Sequence, residues 1–259
     1  MGALVILVSF VVHIPALFLD IFIVINLVFA LLILLIVLKN QKTVEFSMLP
    51  TVLLASTVQG LSANIMTARL ILLDRPAFDD WLITPLSRLL AGSGGIYPLV
   101  IWTVLFTVLL SIDQILITKG AVRTMEVMAR ITFDVLPGKQ MAIDTEYSTG
   151  KIDQDEANAK KEALQMESDF YGAMDGTGKF ISGYAKFRIV IILAVFVGGL
   201  LIGTLLRDEP VIDAVKLYTS LAMGSGLFFL VHSFLLSLAA GIAITRTVHE
   251  EYEKLCMEQ

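Results

Sequence analysis

Between residues 3 and 38 the chain carries a single charged side chain, Asp20. No soluble core absorbs a run of that length, but a bilayer does, because about 20 apolar residues suffice to cross it. The run is too long for one crossing. Pro15 and Asp20 interrupt it, so two helices with a turn near His13 and Pro15 are expected. Composition agrees: 56% of residues are hydrophobic, 17% are charged and the mean hydropathy is +0.81. A soluble domain has nearer a quarter charged.

Further spans are expected over residues 46–73, 96–118 and 187–206. The last apolar stretch, 211–245, exceeds one crossing. It contains Gly224, Ser225 and Gly226, which predict a broken helix or a re-entrant piece. The polar segment 74–95, with Pro76, Pro85 and Gly92-Ser93-Gly94-Gly95, reads as a loop. The chain is therefore an all-α polytopic membrane protein of about six transmembrane helices. It divides into membrane helices over 1–118, a large loop over 119–186, two more spans over 187–246 and a short polar tail over 247–259. The N-terminus lacks the cationic start and cleavage site of a signal peptide and the Ser or Thr of a myristoylation motif.

Lys119, Arg123 and Arg130 follow the fourth span, and Lys179, Lys186 and Arg188 precede the fifth. Arg75, Arg88, Arg207 and Lys216 are thinner on the other side. The bias places the large loop, and the tail, in the cytoplasm. Inside the loop, residues 153–174 read as a surface helix. Asp153 caps it with Glu156 three residues on, Glu156 pairs with Lys160, and Gly176 and Gly178 end it.

A net charge of −5 lacks the basic footprint that nucleic acid requires. Cys256 is alone, and His13, His232 and His249 have no metal-ligand spacing. No nucleophile–base pair, phosphate loop or cofactor motif is present, so neither an enzyme nor a bound cofactor is expected.

Ionisable groups inside spans are costly and face protein or water-filled paths. Asp20 sits where a helix start would favour an anion. Arg69, about a turn from its helix end, either snorkels to the interface or lies on such a path. Asp113 is too deep and too short to snorkel, and a partner is expected for it. His232 reads as hydrogen-bonded to a neighbouring helix or as a proton relay. By themselves these features also suit an independent ion channel or a proton-coupled transporter.

From Arg130 the chain reads R-I-T-F-D-V-L-P-G-K-Q-M-A-I-D-T-E. It continues through Gly150-Lys151-Ile152-Asp153 to D-F-Y-G-A-M-D-G over 169–176, then Lys179-Phe180. This resembles the hallmark segment of the FlhA/SctV (FHIPEP) family, the export-gate membrane proteins of flagellar and type III secretion systems. Weaker likeness extends to Pro15, Asp20 and Asn26, to Asn64 and Arg69, to I-T-K-G-A over 117–121 and to A-A-G-I-A-I-T-R over 239–246.

The resemblance implies a homo-oligomeric, nonameric ring in the bacterial inner membrane. Its partners would be other export-apparatus subunits, exported proteins and the lipid bilayer, and it would couple proton motive force to secretion. Proton or ion pathway candidates are Arg69, Asp113, Asp134, Asp175 and Lys179. The signature loop residues are Pro137, Gly138, Lys139, Gln140, Met141 and Asp144, with Pro137-Gly138 read either as a rigid turn or as a direct functional element. The family pattern continues past Arg246 into two more spans and a large cytoplasmic domain, so the chain corresponds to the part up to the sixth span.

Several positions depart from that pattern. Tyr184 and Ser225 stand where the family has aspartate, Gly60 where it has arginine, and His232 where it has proline. Conversely, Asp113 replaces a neutral amide. Tyr and Ser carry no charge near neutral pH. The alternative is thus a structural paralogue deficient in proton coupling, and in the competent reading Asp113 stands in for a lost carboxylate beside Arg69 or Lys179.

Overall fold

The computed structural model describes residues 15–39, 48–73, 81–91 and 96–257, with backbone only for 91 and 246–257. The expected first span, with His13, lies outside the described residues, as do the side chains of His249 and Cys256. All described secondary structure is helical. The helices are α1 (Ala16–Lys39), α2 (Leu49–Leu73), α3 (Ile83–Ala91), α4 (Ile96–Ile115), α5 (Val122–Ser148), α6 (Gln154–Leu201) and α7 (Val211–Met257). A π-helical turn, Leu116–Ala121, joins α4 to α5, and another, Ile202–Leu206, ends α6.

Five helical rods are long and apolar enough to cross a membrane: Ala16–Lys39, Leu49–Leu73, Ile96–Ser148, Gln154–Leu206 and Val211–Thr245. Their outward faces are apolar too. Phe18, Ile21, Leu32 and Leu35 of α1 and Val100, Val104 and Leu105 of α4 are exposed. In water such a face would be a large uncovered patch; in lipid it is the expected surface.

The large loop is a hairpin of two rods. Ile96–Ser148 and Gln154–Leu206 are each 53 residues long, about 80 Å at 1.5 Å per residue. The bilayer core takes about 30 Å of that, so the hairpin projects tens of ångströms beyond it.

Its tip is specified locally. Gly150, at φ +73°, follows the last turn of α5. Its N–H donates to the Tyr147 carbonyl and the Lys151 N–H to that of Glu146, both at 3.0 Å. That double closure is the Schellman arrangement, and it needs a left-handed residue at Gly150. Asp153 then caps α6, accepting from the Glu156 N–H at 2.7 Å, as the sequence suggests. Three ion pairs tie the arms: Lys160–Glu146 at 2.8 Å, Lys161–Asp144 at 2.6 Å and Lys139–Glu167 at 3.4 Å. Lys160 also lies 3.9 Å from Glu156.

Five expectations are corrected. Within the segment read as loop, Ile83–Ala91 is helical, because Ile83, Ser87 and Leu90 bury against the bundle and Pro85 falls in the first turn, where its missing N–H costs nothing. Pro137-Gly138 is not a turn: α5 runs through both, held by the burial of Met125, Ala129 and Thr132 and by the ion pairs across the hairpin. Gly176 and Gly178 do not end α6, which buries Met174, Thr177 and Ile181 on either side of them; that packing outweighs about 1 kcal/mol per helical glycine. Residues 211–245 are unbroken, since Gly224 lets α7 approach α3 at Ile83 and Ser87. The tail read as a short polar stretch continues α7 to Met257.

Two contacts fix the vertical order of the bundle. The Thr177 hydroxyl donates to the Pro50 carbonyl at 3.1 Å, placing the start of α2 at the hairpin end. Arg207 donates to the Leu72 and Leu73 carbonyls at 3.2 and 3.3 Å, placing the end of α2 opposite.

Candidate functional site, a buried polar network

Helices α2, α4, α6 and α7 meet around a set of polar side chains in the hairpin half of the apolar bundle. Asp113 lies on the last turn of α4, just before the π turn. It is 2% exposed, and the Arg188 guanidinium of α6, 0% exposed, donates to its carboxylate through Nη2. Arg188 Nη1 donates to the Ser233 hydroxyl and, at 3.2 Å, to the Phe229 carbonyl of α7. Ser233 Oγ stands 3.5 Å from Asp113 Oδ2 and 3.3 Å from the Leu230 carbonyl, its two alternative acceptors.

One turn back along α6, Tyr184 points at the same helix, α7. Its hydroxyl is 3.5 Å from His232 Nδ1, and Ser56 Oγ of α2 is 3.4 Å from His232 Nε2. The two rings meet edge to face. These contacts are long for hydrogen bonds and correspondingly weak. Gly60, one turn along α2 from Ser56, makes room: a Cβ there would sit 2.5 Å from His232 Cε1 and 3.0 Å from the Tyr184 hydroxyl.

The network thus has a charged half, Asp113–Arg188–Ser233, and a neutral half, Tyr184–His232–Ser56. Asp113 Oδ1 and Arg188 Nε are buried with no hydrogen-bond partner among the described residues. A buried ion pair left incomplete in this way is weak evidence for stability; of its two unpaired atoms only Asp113 Oδ1 can accept a proton, since the guanidinium has donors alone.

Residues 6–259 match the model of the FHIPEP family. The chain belongs to that family. It is 43% identical over 247 residues to the flagellar biosynthesis protein FlhA of Borreliella burgdorferi, covering 95% of this chain and 35% of the relative. The flagellar biosynthesis protein FlhA of Escherichia coli is 37% identical over 246 residues, 94% and 35% of the two chains. The secretion system apparatus protein SsaV of Salmonella typhimurium is 36% identical over 255 residues, 98% and 37%. The chain spans about a third of the length of the curated relatives it matches. No solved structure matches it significantly.

Gly60, Asp113, Tyr184 and His232, four of the positions at which the resemblance led us to expect other residues, fall together in the network. Ser225 does not: its hydroxyl lies 3.3 Å from the Ala222 carbonyl of its own helix.

The sequence-selected pathway residues are scattered. Asp113 is central, but its partner is Arg188, not Arg69 or Lys179. Arg69 is half-buried about a turn from the opposite end of α2. Asp175 and Lys179 pair with each other at 2.7 Å at the hairpin end, and Asp175 Oδ1 is buried without a partner among the described residues. Asp134 is exposed on α5, on a face shared with Arg123, Glu126 and Arg130. Of the signature residues, Lys139 and Asp144 hold the hairpin arms, while Pro137, Gly138, Gln140 and Met141 are exposed.

Arg188 is the residue that sequence reasoning misplaced, grouped with Lys179 and Lys186 as a boundary cation. Run position does not mark it: Asp113 is five residues inside the expected span 96–118, whereas Arg188 is one residue inside 187–206, and only the packing of the rods brings the two together.

Proposed function

We propose that this chain is the membrane part of a protein-export gate in the bacterial inner membrane, with the hairpin in the cytoplasm, and that Asp113–Arg188 is the element through which it responds to proton motive force. The observation that carries this reading is a buried, incompletely satisfied ion pair, the only fully buried one among the described residues, joining three membrane-crossing helices in a chain of this family. A carboxylate can release its cationic partner by binding a proton; the freed Arg188 must then find new acceptors, which moves helices relative to one another. One charge moved across 100 mV is worth about 2.3 kcal/mol, enough to bias such a rearrangement. The reading names export-apparatus subunits, exported proteins and further copies of the chain as partners. An exposed apolar stripe at helical spacing on α5, Val127, Ile131 and Val135, supports a homo-oligomer built through the hairpins, the nonameric ring being the family's arrangement. No catalytic step belongs to this function.

The test is export of a reporter substrate from cells using this protein as their gate, while an uncoupler lowers the proton motive force. Asp113→Asn should depress export several-fold per molecule of protein in the membrane and make it more sensitive to uncoupler. Normal export with normal accumulation sinks the proposal.

A second reading is favoured by Tyr184 and Ser225, which put neutral groups where the family has carboxylates. The chain would then keep the hairpin for assembly and leave proton coupling to another subunit. Tyr184→Asp and Ser225→Asp should in that case change nothing, and a gain of export would count against it.

A further inference from the structure

On the outer surface of the bundle, α4, α6 and the first half of α7 enclose an open groove of about 640 Å³, the size of a small-molecule site. Leu99 and Phe106 of α4, Ile192 and Phe196 of α6, and Val215 and Met223 of α7 supply its walls. It follows α4 from Ile96 to Leu110, about 21 Å at the helical rise, or roughly one leaflet plus its interface. Its one charged lining residue is Lys216.

Lys216 is half-buried and has no ion-pair or hydrogen-bond partner among the described residues. It stands five residues into α7, hence about 7–8 Å below the start of that helix. Side chains on a helix lean toward its N-terminus, which here is the end away from the hairpin. The lysine stem therefore runs up the groove and carries the ammonium toward the headgroup level. An apolar trough one leaflet deep, with a single cation at its mouth that has no partner among the described residues, is complementary to one kind of molecule.

We propose that this groove binds an anionic glycerophospholipid, its acyl chain lying between α4 and α7 and its phosphate on Lys216. Asp213, one turn before Lys216 on α7, is exposed and makes no ion pair with it, and no other described carboxylate does; residues 3–12 carry no acidic group. The outward faces of α1 and α4, available from a second copy, are equally without one. A zwitterionic lipid would fill the trough, but its own cation competes with Lys216 for the phosphate.

The test is native mass spectrometry of the protein released from vesicles of equal parts phosphatidylglycerol and phosphatidylcholine. The protein should retain phosphatidylglycerol several-fold over phosphatidylcholine. Lys216→Gln should bring the two to parity, and Lys216→Arg should keep the preference. Val215→Trp, which fills the trough and leaves the cation, should lower retention of both lipids. Parity in the unaltered protein, an undiminished preference in Lys216→Gln, or assemblies of several copies that retain no lipid would each overturn the proposal.

Discussion

Asp113→Asn and Arg188→Met remove the same ion pair from opposite sides, and the structure says they are not equivalent. Asparagine keeps the size and one acceptor oxygen of Asp113, so the change removes charge and little else. It leaves Arg188, 0% exposed, with neutral acceptors only, the asparagine oxygen, the Ser233 hydroxyl and the Phe229 carbonyl. A guanidinium does not deprotonate in proteins, so its charge stays uncompensated. Two touching unit charges attract by about 4 kcal/mol at an effective dielectric of about 20, and breaking buried pairs by removing one partner costs about 3–5 kcal/mol. Asp113→Asn should therefore cost about 3–5 kcal/mol. Arg188→Met leaves a carboxylate that can take up a proton and donate a hydrogen bond, so it should cost less, about 1–3 kcal/mol, the scale of an unsatisfied buried polar group. With both changes no lone charge is left, and the double variant should be more stable than Asp113→Asn alone. The assay is unfolding in mixed micelles by SDS titration, run as a double-mutant cycle. Additive losses, or a larger loss for Arg188→Met, would refute the reasoning.

Other perturbations test the neutral half and the hairpin. Gly60→Ala places a Cβ against His232 and should cost about 1–3 kcal/mol by overpacking; His232→Ala in the same chain should recover most of that in the same titration. Gly150→Ala forces a side chain into the left-handed region and should cost about 1–2 kcal/mol, read as faster amide exchange at residues 144–156. At the tip, outside the apolar spans, the hydrogen bond from Lys160 holds the Glu146 carboxyl below its usual range. A lowered folded-state pKa stabilises above the unfolded value and is lost as pH falls through the folded one. Exchange protection at the tip should accordingly be constant at neutral pH and weaken only below the ordinary carboxylate range, and Lys160→Met should abolish that pH dependence.

Apolar run length made the spanning helices legible in the sequence, because lipid demands internal hydrogen bonding over a fixed thickness. The Asp153 cap was legible because capping is a contact between residues three apart. What local rules could not supply was the continuity of the rods. Pro137, Gly176, Gly178 and Gly224 are breakers by intrinsic preference, and in each case a neighbouring helix supplies what outweighs them. The same limit hid Arg188. From the sequence it is one of three cations beside a span; only the pairing of antiparallel rods sets it opposite Asp113, while Lys179 is held by Asp175 one turn away on its own helix. The amphipathic α3 was obscured by Pro85, a residue that breaks helices everywhere except in the first turn.

The position of the ion pair relative to the π turn sets what it can do. Asp113 is three residues before Leu116–Ala121, the only irregular turn between the bilayer segment of its rod and the hairpin arm. A π turn holds an extra residue in one turn of helix and is a common place for helical register to shift. On the other rod no such joint lies between Arg188 and the hairpin, α6 being regular from Gln154 to Leu201 with its π turn at the far end. Any change in the pairing of Asp113 with Arg188 is therefore borne by the α4–α5 rod, and its arm carries Lys139 and Asp144, which grip the opposite arm. Tyr184 lies one turn toward the hairpin from Arg188, and His232 lies between the two α7 residues that Arg188 bonds; neither carries a fixed charge, so they can accommodate a shift without opposing it. In this arrangement the bilayer half of the molecule senses charge through one pair, and the hairpin reports it through one joint. Turning the arm beyond the joint should separate the two while leaving the pair intact: inserting one residue in the regular helix between 122 and 138 would turn the arm beyond it by about 100°, breaking the contacts of Lys139 and Asp144 while Asp113 keeps Arg188. Cysteine cross-linking between positions 139 and 167 would be lost in that variant, and the resistance to SDS that depends on Asp113 would remain; loss of both would show that the rod moves as one body.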